Sequence, residues 1–147
     1  MIDVRLLTQP FDPNAEIDRF AGQIGNTGGL ATFVGKVRGG GRVEALELSH
    51  YAPLTLPGME ALAAAAAARF AVQGLLLLHR VGRLHPGEPI VCVCAAAEHR
   101  RAAFDAVDFA MDHLKSDSWF WKRELRGGVW TWIEPRDQDR ADLDRWR

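Results

Sequence analysis

Apolar positions change period several times along the chain, and each change marks an element boundary. Ile2, Val4 and Leu6 alternate with polar residues, the two-residue period of a short strand. Asp12-Pro13 then offers an N-cap and a first-turn proline. Ile17, Phe20, Ala21 and Ile24 follow at helical spacing until the Gly-Asn-Thr-Gly-Gly run at 25–29 ends the helix. A continuous apolar strand is predicted over 30–37, leading into the basic, glycine-rich segment from Lys36 to Arg42, and a second, alternating strand over 43–50. Pro53 and Pro57-Gly58 precede an alanine-rich helix predicted from about Met59 to Val72. Gly74 breaks it, and 75–81 reads as a strand. His85-Pro86-Gly87-Glu88 is a tight turn before a strand over 90–96.

A long helix is predicted from near Glu98 to Ser116-Asp117. Its Phe104, Val107, Met111 and Leu114 recur at three- and four-residue steps and face a sheet. Trp119 to Leu125 and Val129 to Glu134 flank Arg126-Gly127-Gly128 as a hairpin. Residues 136–147 are mostly charged and form a C-terminal tail, loose or helical. Strands and helices mix without a strict βαβ rhythm, so the expected class is α+β, as a single domain over 1–147.

Composition narrows the function classes. The chain has 147 residues, 48% apolar and 25% charged, with a net charge of −1, which argues against a generally basic nucleic-acid binder. The greasiest stretch, Leu62 to Leu78, is interrupted by Arg69, Gln73 and Gly74 and is a helix followed by a strand, not a membrane span. Met-Ile-Asp-Val-Arg lacks the basic-then-apolar pattern of an export leader, so a cytoplasmic location is expected. Cys92 and Cys94 fall on one strand face as buried thiols, too few and too close for a zinc site. Among 18 basic residues only Lys36, Lys115 and Lys122 are lysines. A desolvated lysine can titrate and act as acid, base or nucleophile; arginine keeps its proton.

Three basic clusters sit at element ends. Lys36 and Arg38 project from one face of an extended segment beside glycines that admit a close approach. His99-Arg100-Arg101 opens the long helix, where free N–H groups and the positive helix end favour an anion. Lys115 closes that helix, and alternation beyond it puts Phe120, Lys122 and Glu124 on one strand face with Trp119, Trp121 and Arg123 on the other. Four of five tryptophans lie between 119 and 132, which suits either a flat aromatic surface or core packing. No phosphate-loop, dinucleotide, nucleophile-elbow or metal-ligand spacing is present, so neither metal nor cofactor is expected.

Together these pieces resemble the large, catalytic subunit of molybdopterin synthase, the MoaE family. The matching runs are Phe33-Val34-Gly35-Lys36-Val37-Arg38, Leu46-Glu47-Leu48-Ser49-His50-Tyr51, His79-Arg80-Val81-Gly82-Arg83-Leu84 with Gly87-Glu88, His99-Arg100, and Leu114-Lys115 with Phe120-Trp121-Lys122-Arg123-Glu124. The glycine-rich loop at 39–41 and the alanine-dominated helix depart from the pattern. The resemblance implies an α/β-hammerhead fold with an added antiparallel sheet. It also implies a homodimer within a heterotetramer, with one small ubiquitin-like sulfur carrier bound per subunit. The carrier's C-terminal Gly-Gly thiocarboxylate would enter the pocket, and two sulfurs would pass to cyclic pyranopterin monophosphate, forming the dithiolene of molybdopterin.

On that reading Lys115 and Lys122 are catalytic. Lys36, Val37, Arg38, His99, Arg100, Arg123 and Glu124 join them in binding substrate, with charge-assisted bonds holding its phosphate. Arg100 and Lys115 lie 15 residues apart on one helix, so their backbones stand about 22 Å apart. His99 and Arg100 are therefore expected to come from the neighbouring subunit. Two other functions fit the same residues: a non-catalytic scaffold for a Gly-Gly tail, and a module for a small anionic ligand.

Overall fold

The structure, a computed structural model, describes residues 1–116 and 119–147. In chain order its elements are β1 (Ile2–Leu7), α1 (Pro13–Gln23), β2 (Gly29–Lys36), β3 (Val43–His50), α2 (Ala52–Phe70) and β4 (Gly74–Arg80). Then come β5 (Gly82–Leu84), β6 (Pro89–Ala97), α3 (Arg100–Ser116), β7 (Phe120–Arg126), β8 (Val129–Ile133) and α4 (Asp137–Asp144). The strands form two four-stranded sheets, β1-β4-β6-β2 and β5-β3-β7-β8. In the first, β1 and β4 run parallel and the other pairs antiparallel. The second is antiparallel throughout. The α+β class and the added antiparallel sheet are as expected.

The first sheet is covered on both faces, so its central strands β4 and β6 read as near-continuous apolar runs rather than alternating, apart from His79 and Arg80 at the end of β4. Leu75, Leu77, Val93 and Ala95 face α2 and α3, whose Ala63, Ala66, Ala106 and Ala110 let the helices close down on the strands. Leu76, Leu78, Cys92 and Cys94 face Phe20 of α1. Both cysteines are fully buried as the sequence suggested, and burial pushes the Cys92 thiol up to about 12. Asp12 caps α1 by accepting from the Asn14 N–H at 3.0 Å.

Two elements differ from the sequence expectation. The alanine-rich helix begins at Ala52 rather than Met59, with Pro53 in its first turn and Pro57 inside it. Proline in a helix interior removes a backbone bond, but tertiary contacts hold this first segment. Thr55, fully buried, donates its hydroxyl to the Trp119 carbonyl at 2.9 Å. A Cβ at Gly58 would stand 2.5 Å from the Trp119 indole, so only glycine allows that approach. The second difference is β5, three residues long and so too short to show a period, which pairs Leu84 with Leu46. The charged tail, expected to be loose or helical, is helical over α4 and folds back along α3. Arg145 Nη2 meets Asp108 Oδ1 and Asp112 Oδ2 at 2.7 Å, and Trp146 sits edge-on to Phe70 and Phe109. The long helix ends at Ser116; Asp117 lies outside the described residues. Among the described residues, no helix is long and apolar enough to cross a membrane.

Candidate active site

Where β2 leaves the first sheet its register shifts: Gly35 faces Val91, whereas Lys36 faces Pro89. Val37 is buried against Leu46, Leu48 and Leu84 between the two sheets. Burying Val37 turns its neighbours Lys36 and Arg38 the other way. The amphipathic α3 buries Leu114 and carries Lys115 in its last turn, where the helix dipole favours a cation. The pleat of β7 presents Phe120, Lys122 and Glu124 on one face. These three approaches meet in a cleft of about 280 Å³.

Lys36, Arg38, Lys115 and Lys122 line it, with Leu46, Ile90 and Phe120 as apolar walls. The strand end and tail add Glu134, Arg136 and Asp139. An adjoining hollow shares the same four cations and is walled by Phe33, Val91 and Met111 over His79. The cleft therefore holds five cationic side chains against three carboxylates, Glu124, Glu134 and Asp139, two of which are already engaged: Arg136 Nη2 reaches Asp139 Oδ1 at 3.0 Å and Arg126 Nη2 reaches Glu124 Oε1 at 3.2 Å.

Of the shifted groups in this space, two bear on proton exchange. Burial, reinforced by the neighbouring Lys115 ammonium and only partly offset by Asp139, lowers Lys122 to about 8. His79 is buried beneath Phe120, ring on ring at 4.0 Å and 15°. Its Nδ1 lies 2.8 Å from the Arg80 carbonyl, which can only accept, so Nδ1 carries the hydrogen. Burial, with Lys122 and Lys115 adding to it, lowers His79 to about 3 and keeps it neutral. The cleft can thus attract a polyanion and hold beside it a lysine that exchanges protons near neutral pH.

Of the residues predicted from sequence, Lys36, Val37, Arg38, Lys115, Lys122 and Glu124 line this cleft. Arg123 does not. It lies on the opposite face of β7, donates Nε–H to Glu47 Oε1 at 2.8 Å, and lies over Trp130 at 4.3 Å. His99 and Arg100 are exposed at the far end of α3 from Lys115, so one chain does not bring them to the cleft. The tryptophans divide. Trp119 and Trp146 pack on the core, Trp130 lies between Arg83 and Arg123, and Trp121 and Trp132 are exposed.

Sequence reasoning assigned no role to His79, Arg136 or Asp139. The spacing of Arg136 and Asp139 carried a signal, because an acidic residue three after a helix start closes a capping box, here with the Arg136 N–H donating to Asp139 Oδ2 at 3.2 Å.

Comparison with known proteins bears on this arrangement. The profile of the MoaE protein family matches residues 6–117. The molybdopterin synthase catalytic subunit of Caulobacter vibrioides is 44% identical over 97% of this chain and 96% of its own length. That of Pseudomonas aeruginosa is 41% identical, covering 97% of each. Among solved structures, the molybdopterin biosynthesis MoaE protein from Burkholderia ambifaria superposes with a TM-score of 0.84 at 40% identity, over 99% of this chain and 98% of that one. The complex of subunits 1 and 2 of molybdopterin-converting factor from Helicobacter pylori, at 18% identity and a TM-score of 0.79 over 90% of this chain and 91% of that one, shares the fold.

Proposed function

The chain belongs to the MoaE family, and from that premise we propose how its cleft works as the catalytic, sulfur-transferring subunit of a molybdopterin synthase. The observation that carries the proposal is the convergence of Lys36, Arg38, Lys115 and Lys122 from β2, α3 and β7 on one small cleft. The acceptor is cyclic pyranopterin monophosphate, and the donor is the thiocarboxylate at the Gly-Gly end of a small ubiquitin-like carrier. Lys36 and Arg38 bind the phosphate by charge-assisted bonds. A tail ending in two glycines has no side chains to place, which suits the hollow walled by Phe33, Ile90 and Met111, whose four cations meet its terminal anion.

Sulfur leaving the acyl carbon is replaced there by oxygen from water, and each sulfur transfer moves protons at the reacting atoms. Lys122, lowered to about 8, is matched to that task near neutral pH, and Lys115 stands beside it as the second cation. Both stabilise the charge that develops as the cyclic phosphate opens.

The site is completed by a second copy of the chain. β2 is an edge of the first sheet, and Leu30 and Phe33 on it and Phe104 on α3 are exposed. Two such edges related by a two-fold axis pair antiparallel and set α3 antiparallel to its copy. The N-terminus of one α3, with His99 and Arg100, then lies beside Lys115 of the other. That removes the separation of about 22 Å along a single helix.

The deciding experiment mixes the purified chain with thiocarboxylated carrier and cyclic pyranopterin monophosphate and measures dithiolene product beside Lys115→Ala. Product from the wild type, with Lys115→Ala lowered about 10²–10⁴-fold, is the expected result. Carrier binding without product from the wild type would leave a scaffold and refute the reaction. Full activity in Lys122→Arg, whose side chain keeps its proton, would refute the proton-transfer role of Lys122.

A further inference from the structure

The run His79-Arg80 … Gly87-Glu88 touches the cleft only through His79, yet it contains a buried cation. Arg80 ends β4 and its side chain is 4% exposed. Nη2 donates to the Arg83 carbonyl at 3.4 Å, and Nη1 faces Glu88 Oε1 at 3.6 Å as an ion pair. Nε and Nη1 have no hydrogen-bond partner among the described residues. A buried guanidinium so sparsely bonded costs stability, and an apolar side chain would pack there at lower cost. Its geometry points to what it does instead.

Glu88 closes the turn between β5 and β6. Its carboxylate accepts from the His85 N–H at 2.5 Å and its own N–H donates to the His85 carbonyl at 3.0 Å. Gly87 reaches φ +91° in that turn, a conformation that favours glycine. The turn in turn holds the end of β2. The Val37 N–H donates to the Glu88 carbonyl at 3.0 Å, and the Gly87 N–H donates to the Val37 carbonyl at 2.9 Å. Val37 is thus fixed on both sides of its backbone, immediately after the register shift at Gly35 and Lys36. Lys36 and Arg38, its two neighbours, are the cations that enter the cleft. The His85 N–H and the Arg80 charge also hold the Glu88 carboxyl below its usual range, so it is ionised and able to pair with Arg80.

We propose that the buried Arg80–Glu88 pair is a positioning device for the reaction: it locks the 85–88 turn onto Val37 and so sets where Lys36 and Arg38 present their charge to the substrate phosphate. Neither Arg80 nor Glu88 touches substrate. The proposal rests on the sulfur-transfer reading for the identity of the phosphate compound, though not for the mechanical link itself.

The test is a double-mutant cycle between Glu88 and Arg38, read in two assays. In reconstituted turnover, Glu88→Ala is expected to raise KM for cyclic pyranopterin monophosphate about tenfold while kcat stays within about threefold, because ground-state placement of the anion is lost. In an Arg38→Ala background the same change is expected to add less than about twofold, since the charge it positions is already gone. Calorimetric titration of inorganic phosphate into the same four proteins should show the same non-additivity. Glu88→Gln keeps the side-chain length and an acceptor for the His85 N–H but loses the charge facing Arg80. It decides the question by the same criterion if Glu88→Ala does not fold. An unchanged KM and phosphate affinity in the folded single variant would overturn the proposal. So would a full tenfold effect persisting without Arg38, which is what a general structural defect produces. A wild type that makes no product would overturn the sulfur-transfer reading alone, and the phosphate titration would still decide the positioning role.

Discussion

Lys122→Met should separate what the cleft needs for chemistry from what the fold needs for stability. Lys122 falls from an ordinary 10.5 to about 8 because folding takes its ammonium out of water and sets it beside Lys115. At about 1.4 kcal/mol per unit, the folded protein at pH 7 carries a cost of about 3 kcal/mol for keeping that group charged. The sign follows from proton counts. Between pH 8 and 10.5 the unfolded chain holds a proton the folded one has released, so wild-type stability gains from this group as pH rises through that window. Below pH 8 both states are protonated and the full cost remains. Methionine keeps the length of the side chain and removes the charge. Lys122→Met is therefore expected to be more stable than wild type by about 2–3 kcal/mol at pH 7, a rise in Tm of about 4–12 °C for a chain of this size. The advantage should close by pH 10.5, while dithiolene formation collapses. Denaturant unfolding of both proteins at pH 7 and pH 10.5 measures it. A variant no more stable than wild type at pH 7, or a gain that persists unchanged to pH 10.5, would refute the reasoning.

Two more outcomes follow from the same geometry. His79 is held neutral down to about 3, so between pH 6.5 and 3 the unfolded chain takes up a proton that the folded one refuses, and stability falls as pH falls. His79→Gln should lose that component. Its stability drop between pH 7 and pH 5, by denaturant titration, should be smaller than wild type's by about 2 kcal/mol, and an equal drop would contradict a neutral buried imidazole. A shared site makes a second forecast. Lys115→Ala and Arg100→Ala, each inactive alone, should recover about a quarter of wild-type activity after unfolding and refolding together, because half the dimers are mixed and each mixed dimer has one intact site. No recovery, with mixed dimers demonstrated by mass, would place Arg100 outside the neighbour's site.

How much of this was legible in the sequence depended on the range of the forces involved. The amphipathic α3 and the alternation of β7 are local patterns, and they correctly put Lys115 at a helix end and Phe120, Lys122 and Glu124 on one face. The start of α2 was not legible, because two prolines argue locally against a helix while the contacts that override them, Thr55 and Gly58 against Trp119, come from about 60 residues away. The short β5 exists only as a partner for β3. Arg123 shows the limit of a motif: it lies between two cleft residues in sequence, but the pleat points it at Glu47. Charge alone leaves the tail loose or helical. It folds because Asp112 on α3 accepts from Arg145 at 2.7 Å and from the Trp146 indole at 2.5 Å, which no periodicity announces.

The scarcity of lysine acquires a physical meaning here. All three lysines face the cleft, whereas most of the arginines serve as surface ion pairs such as Arg19 with Asp3 and Arg145 with Asp108. In a small cleft that concentrates positive charge, arginine at every position would be fixed in its protonated state, and an anion would be held without any group able to exchange a proton with it. Lysine can yield under the pressure of its neighbours, and the more buried of the cleft's lysines does so: Lys115 beside Lys122 helps to bring the latter into the range where it can give or take a proton. A bound phosphate would reverse part of that effect, because a nearby anion favours the charged ammonium. On the proposed reading, substrate arrival would raise Lys122 and opening of the cyclic phosphate would change the charge it meets. The same residue would thus be driven toward its acid form on binding and release the proton as charge shifts during the reaction. The role proposed for Arg80 and Glu88 is complementary: holding the anion-binding arm in place would let this exchange occur against a fixed charge rather than a moving one.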